Sequence, residues 1–159
     1  LPEDIVKIFT PLLESEYKAF YFYKEAANYC KNVGFAKAAA FFEAESADEL
    51  VHAKKLQDFL VDWNVQPELP TILTPDEVES LLDVIETAYD LEYQLYSDYE
   101  AASVKVLEIG DVCVFDLFQY FRNVQTESVA QFSDMLNLLD GTEASKIELL
   151  LLEEQLFGE

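Results

Sequence analysis

The chain predicts an all-α fold, a four-helix bundle with one long crossover connection and a short fifth helix at its C-terminal end. Three observations carry that expectation. Of the 159 residues 51% are hydrophobic, while only 4 are Gly and 5 are Pro, so helix breakers are scarce. Apolar residues recur at three- and four-residue spacing over four long stretches, the period of an amphipathic helix. The few breakers separate those stretches by a short, a long and a short connection, which gives a bundle with one crossover.

The first helix is expected from about Pro2 to Lys31, with Phe9, Leu13, Phe20, Ala27 and Cys30 on one stripe and Gly34 ending it. The second runs from about Ala36 to Trp63, its stripe formed by Phe42, Leu56, Phe59 and Trp63. Residues 64–73, with Pro67 and Pro70, are too long for a tight antiparallel turn and form the crossover. Thr74-Pro75-Asp76-Glu77 reads as the start of the third helix: a cap, a first-turn proline and acidic first-turn residues. That helix continues to about Leu107 with Val78, Leu82, Ile85, Tyr96 and Tyr99 on its stripe. After Ile109-Gly110-Asp111 the fourth runs to about Leu139, showing Val114, Phe118, Phe121, Phe132 and Met135. Asp140-Gly141-Thr142 ends it, and the fifth covers about Glu143 to Leu156. No internal repeat and no low-complexity tract is read, so one domain over residues 1–159 is expected.

Charge narrows the function classes. Asp and Glu number 32 against 10 Lys and Arg, a net charge of −22. Nucleic acid and anionic membrane surfaces need basic patches, so neither is an expected partner. Cation attraction and plain solubility both fit such acidity. No apolar run reaches the roughly 20 residues of a membrane span, and nothing at the start resembles a signal peptide. Cys30 and Cys113 form no C-x-x-C pair, and two thiols suit a reducing cytoplasm, the expected location.

The informative residues are the polar ones that interrupt the apolar stripes. Helix one places Glu16 between Leu13 and Phe20; helix two places Glu45, Glu49 and His52 between Phe42 and Leu56. Helix three places Glu92 between Tyr89 and Tyr96, and helix four places Gln125 and Ser128 between Phe121 and Phe132. Glu49-x-x-His52 contains the chain's single histidine and sets carboxylate and imidazole one turn apart on one face. Buried unpaired carboxylates cost several kcal/mol or take up protons, and no Lys or Arg lies on the apolar stripe itself along these stretches. A multivalent cation is the simplest way to keep Glu16, Glu49 and Glu92 ionised together. Carboxylates with one imidazole and no thiolate suit iron, manganese or zinc. A single glutamate on an apolar stripe is ordinarily a snorkelling or cap-bonded residue; three at matching depth beside a histidine are not. Glu45, one turn away, fits a ligand or a solvated cavity, and Tyr23 fits core packing or a hydrogen bond to a ligand.

These motifs together resemble the non-haem ferritins, of the ferritin-like di-iron family. Residues 34–42 followed by Glu49-x-x-His52-Ala53-x-x-Leu56 are similar to the ferritin second helix. Glu16 followed by Tyr23, Tyr89-x-x-Glu92 and Gln125 match the first, third and fourth helices. The resemblance covers the whole chain. It implies one ferritin-like domain, with the bundle at about 2–139 and the short helix at about 143–156. It further implies a di-iron ferroxidase that oxidises Fe(II) with dioxygen or hydrogen peroxide, in a homo-oligomeric cage of 24 subunits that stores ferric mineral. Carried over, Glu16 and His52 bind the first iron, Glu49 bridges, Glu92 holds the second and Gln125 sits near it. Two irons with three and two protein ligands would fill in sequence, the first site before the second. The fifth helix, with Ile147, Leu149, Leu150, Leu151, Leu152, Leu156 and Phe157, would line the four-fold axis.

The departures from the family pattern matter. Ferritins with a third iron site carry further acids on the second and fourth helices, where this chain has Asp48, Val124, Glu127 and Ser128. Glu45, Asp48 and Glu127 are therefore secondary metal candidates, and a complete third site is not expected. Val51 and Lys54 stand where some animal chains carry mineral-nucleating glutamates, and only Asp111 and Asp116 are candidate pore acids. One histidine excludes centres that need a second Glu-x-x-His. No haem is expected, since Met135 is the sole methionine and belongs to the core pattern. Two alternatives are a ferritin-fold metal buffer without fast oxidation and an acidic bundle indifferent to metal.

Overall fold

The computed structural model describes residues 1–139 and 146–158, and of residues 146–149, 151 and 152 the backbone alone. It consists of α1 (Glu3–Asn32), α2 (Ala36–Asp62), α3 (Leu81–Ile109), α4 (Val112–Leu139) and α5 (Lys146–Phe157). The expected start of the last helix at Glu143 lies outside the described residues. This is a four-helix bundle with a short C-terminal helix, as the apolar periodicity predicts.

Short turns join α1 to α2 and α3 to α4. Gly34 and Gly110 have φ of 93° and 91°, a left-handed conformation that side chains resist. The direction of each helix follows from who meets whom. Gln57 on α2 bonds Tyr17 on α1, while Lys24 on α1 pairs with Glu43 on α2, so these helices are antiparallel. Tyr23 bonds Glu92 and Tyr99 bonds Glu16, so α1 and α3 are antiparallel as well. Helices α2 and α3 therefore run parallel, and only a connection as long as the bundle can join their ends.

That connection is longer than the capping signals suggested. Thr74-Pro75-Asp76-Glu77 does not start α3, which begins at Leu81 behind Ser80. The Asp83 amide donates to Ser80 Oγ at 2.9 Å, and the Asp83 carboxylate accepts from the Glu79 amide at 2.9 Å. This reciprocal cap satisfies two otherwise unpaired amides, whereas the earlier segment forms no helix, and Val78 packs on the core from the crossover. Trp63 is also misplaced by the stripe. It caps α2 beyond the end of the core, is 51% exposed, and tilts against Phe59 at 6.4 Å.

Two aromatic layers fill the bundle on either side of its middle. One stacks Tyr23, Phe42 and Phe132, with Phe42 and Phe132 at 6.4 Å and 2°. The other joins Phe9, Phe118, Tyr99 and Phe121, the last two stacked at 4.7 Å and 3°. Each such pair adds about 0.5–1.5 kcal/mol beyond its buried area. Helix α5 docks on this bundle: Phe157 packs on Phe41 and Phe42, and the buried Glu153 accepts from the Ala38 amide at 2.9 Å. A carboxylate there meets the positive end of α2. Leu150 is exposed; the side chains of Ile147, Leu149, Leu151 and Leu152 lie outside the described residues. No helix among the described residues is long and apolar enough to cross a membrane.

Candidate metal centre

Between the two aromatic layers the core turns polar. Glu16, Glu92 and Gln125 are fully buried and Glu49 nearly so, one contributed by each of α1, α3, α4 and α2. Each occupies a position that the helical period turns inward. The backbone leaves them no choice of environment, only a choice of partners.

Two groups of donor atoms result. Glu16, Glu49 and His52 offer oxygens and a nitrogen that all lie within 4.8 Å of one another. Glu45, Glu49 and Glu92 form a second such group, and Glu49 belongs to both. His52 Nδ1 stands 3.3 Å from Glu49 Oε2 and 3.6 Å from Glu16 Oε2. Glu45, a secondary candidate by sequence, thus stands beside Glu92 and gives the second group three carboxylates. Gln125 donates its amide to Glu92 Oε2 and, at 3.1 Å, to the Glu92 carbonyl. Tyr23 is both core and bonded to a carboxylate, its hydroxyl 2.5 Å from Glu92 Oε1. Asp48 and Glu127 are exposed and join neither group. They line an open cavity of about 390 Å³ that also reaches Glu45, Glu49, His52 and Ser128. The two groups are therefore connected to solvent between α2 and α4.

Tyr99 is the contact that sequence reasoning passed over. Its hydroxyl lies 2.6 Å from Glu16 Oε1. A signal was present: Glu-Tyr followed six residues later by Tyr occurs at 16–23 and again at 92–99, an internal correspondence in a chain read as free of repeats.

Electrostatics show what this cluster lacks. Burial pushes Glu49 well above the usual carboxylate range, and the neighbouring Glu16, Glu92 and Glu45 charges push it further. Burial, Glu92 and Asp48 raise Glu45 to about 7 against the pull of His52. Burial also raises Glu92, although the Tyr23 and Gln125 hydrogen bonds favour its anion. Glu16 alone is lowered: Glu49, His52 and Tyr99 outweigh its burial. For His52 burial favours the neutral ring, but Glu16 and the other acids win and raise it. Among the described residues no Lys or Arg pairs with these acids, and Glu16 Oε2 and Gln125 Oε1 are buried without any hydrogen-bond partner. Unpaired acceptors and carboxylates crowded enough to hold protons fit a cation. The oxygen-rich donor set with one imidazole fits iron, manganese or zinc.

Ferritin-like domain sequences match this chain over residues 7–142. The chain belongs to the ferritin-like domain family. It is 28% identical over 141 residues to a probable bacterial non-heme ferritin-like protein of Haemophilus influenzae, covering 88% of this chain and 86% of that one. It is 27% identical over 138 residues to a bacterial non-heme ferritin of Campylobacter jejuni, covering 86% and 83%. The fold of a humanized archaeal ferritin superposes with a TM-score of 0.93 at 24% identity, over 100% of this chain and 98% of that one. An open-pore ferritin from Archaeoglobus fulgidus gives 0.92 at 22%, with the same coverage. Within the ferritin-like family, then, this member carries two acidic groups joined through Glu49 at the centre of its bundle.

Proposed function

We propose that this chain is a ferritin subunit that oxidises and stores iron, with two Fe(II) ions as substrates in the two groups that share Glu49. The observation that carries this reading is the sharing itself: one carboxylate within reach of both groups, beside buried acceptors that lack donors. Glu16 and His52 hold the first ion, Glu92 and Glu45 the second, and Glu49 contacts both. Gln125 flanks the second. The non-heme ferritins among its relatives and the ferritin fold support the reading.

The chemistry balances with dioxygen or hydrogen peroxide as oxidant. Two Fe(II) ions give up two electrons, which with two protons reduce dioxygen to hydrogen peroxide, or hydrogen peroxide to two waters. The carboxylates favour the ferric state because added positive charge is better neutralised by anionic oxygen donors. Protons held by Glu49 and Glu45 in the metal-free site leave as the ions arrive. Ferric product then passes to mineral held inside a homo-oligomer, a cage of 24 subunits. A single domain over residues 1–159 and a cytoplasmic location belong to the same proposal.

Anaerobic loading with Fe(II), followed by rapid mixing with dioxygen, tests it. Two ferrous ions per chain should be consumed in a fast absorbance phase. Oxidation at the rate of buffer alone overturns the ferroxidase reading. Both oxygens of Glu92 are already engaged by Tyr23 and Gln125, which favours one alternative: tight binding without fast oxidation identifies a ferritin-fold metal buffer.

A further inference from the structure

Resting on that metal-centre reading, we infer that Tyr99 is a positioning residue for the first metal group, holding Glu16 so that a single carboxylate oxygen faces the ion. Three observations build this. The Tyr99 hydroxyl occupies Glu16 Oε1 at 2.6 Å. The other oxygen, Oε2, is buried without a hydrogen-bond partner and lies 3.6 Å from His52 Nδ1. The Tyr99 ring is itself fixed, fully buried, stacked on Phe121 at 4.7 Å and against Phe118 at 6.0 Å. A hydrogen bond from a rigid ring to one carboxylate oxygen leaves the other as the available donor atom.

The same arrangement, reflected, serves the other side of the centre. Tyr23 from α1 braces Glu92 on α3, and Tyr99 from α3 braces Glu16 on α1. Each tyrosine follows its own helix's glutamate by seven residues but bonds the glutamate of the opposite helix. The two braces differ in what they leave free. Glu16 keeps one unbound oxygen, whereas Gln125 takes the second oxygen of Glu92. The brace at Tyr99 therefore acts on a ligand poised for an ion; the brace at Tyr23 acts on one that must first part from an amide.

Titration of the full-length protein with Co(II), followed by its visible absorption bands, tests this because those bands report coordination number. Tyr99→Phe keeps the stacked ring and removes only the hydroxyl, and a thermal melt verifies the fold. The first Co(II) should bind roughly 10-fold or more weakly, with altered bands, while the second step is unchanged. Tyr23→Phe should do the reverse. If the parent binds no Co(II), the metal-centre reading fails. If the parent binds two and Tyr99→Phe matches it in affinity and bands, or perturbs the same step as Tyr23→Phe, only the positioning role is overturned.

Discussion

Residues 16–23 and 92–99 carry the same Glu-Tyr spacing on antiparallel helices, yet their two glutamates live in different surroundings. Glu16 faces an imidazole, keeps an unpartnered oxygen and is held below the usual carboxylate range once the effects opposing burial are counted. Glu92 faces Glu45 and Gln125, has both oxygens engaged, and is raised. The difference comes from α2 and α4, not from the helices that carry the glutamates. Two successive turns of α2 present His52 on one side and Glu45 on the other, with Glu49 between. A ligand's affinity for a cation is set by what crosses the bundle to meet it.

Removing the residue common to both sides should erase the comparison altogether. Glu49→Ala is expected to abolish the fast oxidation phase, a loss larger than the roughly 10–100-fold typical of residues behind the ligands. The fold should persist, because the aromatic layers do not depend on that carboxylate, and circular dichroism can verify it. Oxidation at the parent rate would remove Glu49 from the centre.

Next in size is the response of stability to pH without and with metal. Glu49, Glu92 and Glu45 hold protons more tightly when folded than at their ordinary value of 4.5, with Glu45 raised to about 7. The native state binds more protons than the unfolded state across that window, so stability falls as pH rises through it. His52 works in the same direction: its raised native pKa stabilises below 6.5, and that contribution disappears as pH climbs past the native value. Only Glu16 opposes. The metal-free protein should therefore melt a few degrees lower near pH 8 than near pH 5.5, and Mn(II) should stabilise most at the higher pH. Calorimetry showing a metal-free melting temperature that climbs with pH would contradict the cluster's proton balance.

The smallest effect concerns the inequality itself. With Glu45 included, both groups offer three ligands, so unequal filling must come from the engaged oxygens of Glu92 rather than from a ligand count. The Glu16 side should fill at lower iron concentration. Ser128→Glu, at the half-buried edge of the cavity between α2 and α4, should narrow the gap by adding an anion near the weaker side. Anomalous diffraction from crystals soaked at graded iron levels reads both occupancies; equal filling in the parent would show that Gln125 offers no competition.

Much of the molecule was legible in advance because helical periodicity states which residues face inward. Glu16, Glu49, Glu92 and Gln125 stood out because polar residues at core positions are rare. What periodicity cannot state is lateral pairing. That Tyr99 meets Glu16 depends on the antiparallel register of α1 against α3, which the crossover sets from outside either helix. Glu45 was ambiguous for a related reason: its exposure depends on how closely α4 approaches α2. The start of α3 was missed because two caps competed. Thr74-Pro75 has the composition of a helix start, but Ser80 and Asp83 form the reciprocal bonds.

The crossed tyrosines also bear on how the protein folds. Each helical hairpin forms through contacts close in sequence, whereas the Tyr23–Glu92 and Tyr99–Glu16 bonds close separations of 69 and 83 residues. Such contacts come after local structure, since the chain entropy of closing long loops must first be overcome. A slip of one hairpin past the other by a single turn would break both bonds at once, so the pair works as a register pin between two preformed units. The second acidic group joins Glu45 and Glu49 of one hairpin to Glu92 of the other, whereas the first lies within one hairpin and meets the other through the Tyr99 bond to Glu16. Competence to hold two ions side by side is then a late event in folding, acquired only when the second hairpin locks against the first.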